Sequence, residues 1–174
     1  MPAATPRAAL ATIGAVSFLV VAAPGAHAAR PPQPPRPAGY DVTPSECLTD
    51  PGGGYYDYTV ASADIGGPWD AYVYCRYQGR GLFHIAARHP IPSDGSQDDN
   101  FVKCVMNIGQ YGSAAGADPG HYALRMNRID GGTATLVYQQ DTYEVVSVHT
   151  SDAPRGNNWD ACANLPETSA RTNR

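Results

Sequence analysis

Four cysteines, Cys47, Cys75, Cys104 and Cys162, constrain this 174-residue chain more than any other feature. Their number is even, and none belongs to a Cys-x-x-Cys pair, the spacing a zinc site would want. In an oxidising compartment such a set reads as two disulfides. The N-terminus points to that compartment. Residues 1–8 carry one charge, Arg7, and residues 9–23 form an uncharged, mostly apolar run. Ala26 and Ala28 then supply small residues at −3 and −1 of a cut after Ala28. That order is the pattern of a secretory signal peptide. The run falls short of the roughly 20 residues that span a bilayer. A single arginine and no nearby cysteine argue against twin-arginine and lipoprotein routes.

The expected organisation is a signal peptide over 1–28 and a Pro/Arg-rich extension over 29–44. A disulfide-stapled domain over 45–165 and a short tail over 166–174 follow. The exported part loses only Arg7 among charged residues, which leaves 11 basic against 16 acidic side chains. A net charge near −5 disfavours nucleic acid and anionic membrane as main partners. The expected location is extracellular, with no membrane association after cleavage.

Thr43–Glu46, "TPSE", has the form of a capping box with proline at the first helical position, predicting a short helix that carries Cys47. After "DPGGG" the pattern turns to short stretches read as strands of period two: 55–63, 70–78, 82–88, 101–110, 121–129, 133–140 and 142–150. "DGG" at 130–132 signals a hairpin. One helical turn is expected at Trp159–Ala163. The predicted fold is all-β, a compact antiparallel sandwich or barrel of six to seven short strands.

In 70–78, Ala71, Val73 and Cys75 share a face; in 101–110, Val102, Cys104, Met106 and Ile108 do. Both cysteines then point into the core. Four cysteines allow three pairings, and this alternation favours Cys75–Cys104, which leaves Cys47–Cys162.

Sites of chemistry are sparse. His84, His89, His121 and His149 form no metal-binding motif, and neither a Gly-x-Ser-x-Gly elbow nor a phosphate-binding loop occurs. Glutamate occurs only at Glu46, Glu144 and Glu167, and the cap uses Glu46. "DGSQDDN" (94–100) departs from a calcium loop, with Asp99 in place of the glycine and Val105 in place of the last glutamate. "LPETS" (165–169) resembles a sortase signal but has Ser169 for glycine and no apolar segment after it. No catalytic residue, cofactor or metal is therefore predicted. "WDA" recurs at 69–71 and 159–161, each Trp read as a plug over a core edge.

Tyrosine is abundant, eleven residues, all beyond residue 28. Tyr56 and Tyr58 share one expected face, and Tyr72 and Tyr74 another with Arg76, opposite Cys75. Tyrosine gives large contact area at low entropic cost; it also simply suits strands. The extension contains Arg30, Pro31, Pro32, Pro34, Pro35, Arg36 and Pro37. Such a run favours polyproline II, about 3.1 Å per residue, so that 30–38 reaches about 28 Å. It suits docking in a groove at little entropic cost, or serves as a spacer. Proline after each arginine removes an amide, so a trypsin-like cleft can accept the arginine without cutting the bond.

This plan resembles two groups. One is the small two-disulfide protease inhibitors secreted by high-GC Gram-positive bacteria. The chain departs from their cysteine spacing, with 27 residues between Cys47 and Cys75 and 57 between Cys104 and Cys162. The other is the adaptor subunit of umbrella toxin particles secreted by the same bacteria. The likeness lies in the order of signal peptide, extension "ARPPQPPRPAGY" and four-cysteine β domain. This second resemblance implies a secreted, non-catalytic adaptor whose extension enters the cleft of a degenerate trypsin-like partner. The expected function is protein binding through the extension and the Tyr56, Tyr58, Tyr72 and Tyr74 surface. The alternatives are a protease inhibitor with 89–100 as reactive loop, a sugar-binding module, and a hydrolase using His84 or His121.

Overall fold

Residues 41–50, 52–76, 80–152 and 156–165 are described by the computed structural model of the chain. The signal segment, the extension through residue 40 with Arg30, Pro31, Pro32, Pro34, Pro35, Arg36 and Pro37, and the tail 166–174 lie outside the described residues.

The expected capping box opens the described chain. The Thr43 side chain accepts the Glu46 N–H, and the Glu46 carboxylate accepts the Thr43 N–H at 2.8 Å. With Pro44 in the first turn, this starts helix α1 (Pro44–Thr49) at positions whose backbone donors would otherwise be orphaned. Strands β1 (Thr59–Asp64) and β2 (Asp70–Tyr74) follow as an antiparallel hairpin. Ala71, Val73 and Cys75 point inward and are fully buried, as alternation requires.

Two segments expected as strands are helices. Residues 82–88 lie in α2 (Gly81–Arg88), and 101–110 in α3 (Asp98–Tyr111). The reason is visible in burial. Phe101, Cys104, Val105 and Ile108 are the buried residues of α3, spaced i, i+3, i+4, i+7. Met106, which the period-two reading placed inside, is exposed. Asp98 and Asp99 in the first turn of α3 favour the positive end of the helix dipole. Gly81 begins α2 at φ +65°, where a Cβ would meet the Tyr74 carbonyl oxygen at 2.3 Å.

Next come β3 (Ser113–Ala115), between the segments 101–110 and 121–129 where no strand is expected, and β4 (His121–Asn127), β5 (Thr133–Gln139) and β6 (Val145–Thr150). They form an antiparallel sheet in the order β3-β4-β5-β6. Gly131, at φ +83°, turns the expected β4–β5 hairpin. Helix α4 (Trp159–Ala163) is the expected final turn. Its Trp159 is buried edge-on to Phe101, with ring centroids 5.2 Å apart. Among the described residues, six strands in two antiparallel sheets thus realise the expected β framework, and neither sheet closes into a barrel.

Helix α3 packs across β1, β4 and β5. Gly109 permits this: a Cβ there would lie 2.6 Å from the Asp64 carbonyl oxygen. Among the described residues, the two sheets meet where β2 runs beside the start of β6. Tyr72 donates its N–H to the Tyr143 carbonyl at 2.9 Å, and Tyr72 bridges Glu144 in parallel. At the other end of the larger sheet, buried Arg128 is held between Asp130 and Asp152. Its hydrogen bonds hold both carboxyls below their usual range.

The disulfide pairing differs from expectation. Cys47 bonds Cys75 and Cys104 bonds Cys162. Once 101–110 coils as a helix, Cys104 faces α4 instead of β2, and α1 is left to meet Cys75. The bonds close separations of 28 and 58 residues, which chain entropy makes worth about 3.6 and 4.2 kcal/mol before native-state strain. We expect Cys104→Ser/Cys162→Ser to lose about 2–4 kcal/mol in urea denaturation. Loss below 1 kcal/mol would mean that α4 is held by its other contacts.

Candidate functional site

Between α1 and β1 the chain makes a tight turn. Asp50 caps the end of α1, and its carboxylate accepts the N–H of Gly52 and of Tyr55, each at 3.2 Å. Tyr58 N–H returns to the Tyr55 carbonyl at 2.9 Å. Three tyrosines of this turn stand in solvent: Tyr55 is 36% exposed, Tyr56 41% and Tyr58 45%. Tyr55 and Tyr58 meet edge to face, their centroids 5.5 Å apart, a favoured aromatic geometry.

Arg76 fixes this turn to the sheet. It follows Cys75, whose N–H bonds the Tyr58 carbonyl at 2.9 Å. Its guanidinium lies 4.8 Å from the centre of the Tyr74 ring and 5.6 Å from that of Tyr56, within cation–π range. Its Nη2 donates to Asp57 at 3.0 Å and its Nη1 to Glu144 at 2.9 Å. Arg80 stands 3.8 Å from the same Glu144 oxygen. The Glu144 side chain is only 3% exposed. Burial pushes its carboxyl upward, against the pull of Arg76 and Arg80. Burial likewise raises the Tyr74 phenol.

Of the four tyrosines expected as contacts, Tyr56 and Tyr58 are exposed and lie on the turn, ahead of the strand. Tyr72 and Tyr74 share a strand face as expected, with centroids 6.0 Å apart. Tyr72 is 9% exposed and Tyr74 half-buried, so Tyr72 supports the surface from below. Sequence reasoning missed Tyr55, Asp57 and Glu144, because Glu144 lies 68 residues from Arg76 and no local pattern joins them. A second aromatic row runs Trp69, Tyr143, Tyr138, Tyr122, with successive centroids 6.3, 6.2 and 5.7 Å apart. Trp69 and Tyr122 are exposed at its ends, while Tyr138 is buried and Tyr143 partly buried between them.

The histidines lie elsewhere. His121 lines a shallow depression of about 610 Å³ with Asp118, Val137, Val146 and Ser147. Beside it Ser147 Oγ lies 3.3 Å from His149 Nδ1, and His149 stacks on His89 at 5.1 Å. Burial lowers both imidazoles; Arg125 adds to the effect at His149, and His149, Arg88 and His84 add to it at His89. Among the described residues no carboxylate is hydrogen-bonded to either ring, so the Ser–His pair lacks the third group that orients a catalytic base. His84 is placed on α2, the helix that packs against β6. Among the described residues no group of three or more His, Cys, Asp or Glu side chains is placed to hold a metal ion.

Loop 89–100 is tied down. Ile91 is buried, Asp94 caps the Ser96 N–H, and Asp98 accepts the Ser45 N–H at 3.0 Å. Its last three residues already belong to α3.

The raised Glu144 carboxyl has a thermodynamic consequence. The folded state holds this proton to higher pH than the unfolded chain does. The associated stability is present below the unfolded value and is lost as pH rises through the folded one. Each unit of difference is worth about 1.4 kcal/mol. Glu144→Gln is expected to gain on the parent as pH rises from about 4 to 7, read from urea midpoints; parallel profiles would contradict the assignment.

No protein-family model matches the chain, and no curated protein or solved structure matches it.

Proposed function

We propose that this chain is a secreted, non-catalytic domain that binds another extracellular protein and acts as an adaptor within a complex. The observation that carries the reading is the exposed turn Tyr55–Tyr58 held by Arg76 and the buried Glu144. Tyrosine and arginine are the residues in which interface energy concentrates. A surface already fixed by an ion pair and ring packing loses little entropy on docking. Two disulfides, and no helix among the described residues long and apolar enough to cross a membrane, fit export. The resemblance to the adaptor of secreted toxin particles adds the second contact: Arg30 and Arg36, each followed by proline, entering a trypsin-like cleft. A pinned, partly helical 89–100 segment favours this reading over inhibition, which needs an extended, exposed loop.

Arg76→Ala and Tyr56→Ala, used as baits in culture supernatant, are expected to capture the partner at least ten-fold more weakly than the parent, about 1.4 kcal/mol or more. Near-UV circular dichroism checks that the fold survives. Undiminished capture by both variants would place the contact elsewhere.

A further inference from the structure

Beside the tyrosine turn lies a cleft of about 460 Å³, walled by Glu46, Thr49, Asp50, Gly54 and Tyr55. It sets carboxylates opposite an aromatic ring. One wall is acidic: hydrogen bonds from Thr43 hold Glu46 below its usual range, and Asp50 lies one turn further on. The other wall is the ring of Tyr55, continued by that of Tyr58. Gly54 has no side chain to obstruct a backbone approaching between them. Aromatic rings set beside carboxylates are the surface that polyproline II segments carrying a basic residue recognise. The rings pack on prolines, and a carboxylate takes the guanidinium.

We propose that this cleft binds a proline- and arginine-rich segment in polyproline II form, and that in the unpartnered protein its occupant is residues 30–38 of the same chain, which the adaptor reading then has leave for the partner's cleft. Three arguments support that occupant. The first is pattern. With three residues per turn, Pro31, Pro34 and Pro37 fall on one face, Pro32 and Pro35 on a second, and Arg30, Gln33 and Arg36 on the third. Such a segment presents apolar edges and a basic edge together, as the cleft requires.

The second argument is charge. The occupant brings two arginines to a wall of two carboxylates. The third is tether length. Asp41 donates its N–H to the Thr59 carbonyl at 3.0 Å and accepts the Thr59 N–H at 2.9 Å. The segment therefore joins the domain one residue from Tyr58, whose ring touches Tyr55. Arg36 lies five residues before Asp41, a reach of up to about 17 Å. So short a tether gives a local concentration in the millimolar range, which favours the chain's own segment over that of a second copy.

The test is fluorescence anisotropy of a labelled peptide, ARPPQPPRPAG, against the full chain. Arg30→Glu/Arg36→Glu should empty the cleft and bind the peptide at least ten-fold more tightly than the parent, whose cleft is filled. Added salt should weaken that binding. Tyr55→Ala in the charge-reversed chain should abolish it, and Tyr55→Phe should keep it, which separates loss of the ring from loss of fold. Equal binding by parent and charge-reversed chains, or none by the latter, overturns the proposal. Parent dimers in sedimentation that charge reversal dissolves would assign the cleft to a second copy and overturn it too. A charge-reversed chain that ignores the peptide while the parent still captures its partner rejects this inference and leaves the adaptor reading standing.

Discussion

Glu144 sits where the two sheets meet. Its backbone pairs with Tyr72 of β2, and its carboxylate reaches past the sheet to Arg76. A carboxylate 3% exposed is costly to bury unless its charge is answered. Arg76 answers it, with Arg80 at longer range. That obligation dictates the rest of the surface. Held by Glu144, the guanidinium lies within reach of both the Tyr74 and Tyr56 rings, and its second arm takes Asp57. The tyrosine turn is thereby tied to the seam between the sheets.

The Cys47–Cys75 bond strengthens the same region. Cys75 precedes Arg76, and Cys47 lies in α1, whose first-turn Glu46 and capping Asp50 form the acidic side of the cleft. The turn is thus closed on one side by a covalent link and on the other by an ion pair. Cys104–Cys162 secures α4 to α3. Chemistry needing a mobile loop would be poorly served near a surface fixed this way. Binding is well served, because ordering costs have already been met in folding.

The sequence made some of this legible. The capping box of α1, the β4–β5 hairpin, β5, β6 and the turn at Trp159 follow local rules that tertiary contacts did not override. Residues 101–110 show where local reading fails. Val102, Cys104, Met106 and Ile108 alternate as a strand would, while Phe101, Cys104, Val105 and Ile108 repeat as a helix would; the acidic first turn at Asp98 and Asp99 favoured the helix. The disulfide pairing inherited that misreading. Tyr56, Tyr58 and Tyr74 were legible as surface candidates from composition and alternation. Glu144, as the residue that organises them, was not, because only the three-dimensional fold brings it to Arg76.

The most direct test of the central claim is amide hydrogen exchange over residues 52–58 in the parent and in Arg76→Ala. If Arg76 pins the tyrosine turn, the amides of Tyr55 and Tyr58 exchange at least ten-fold faster in the variant, about 1.4 kcal/mol of lost local protection, while β5 amides are unchanged. Unchanged protection of the turn would show that it is ordered without the ion pair, and the account of the surface would be wrong.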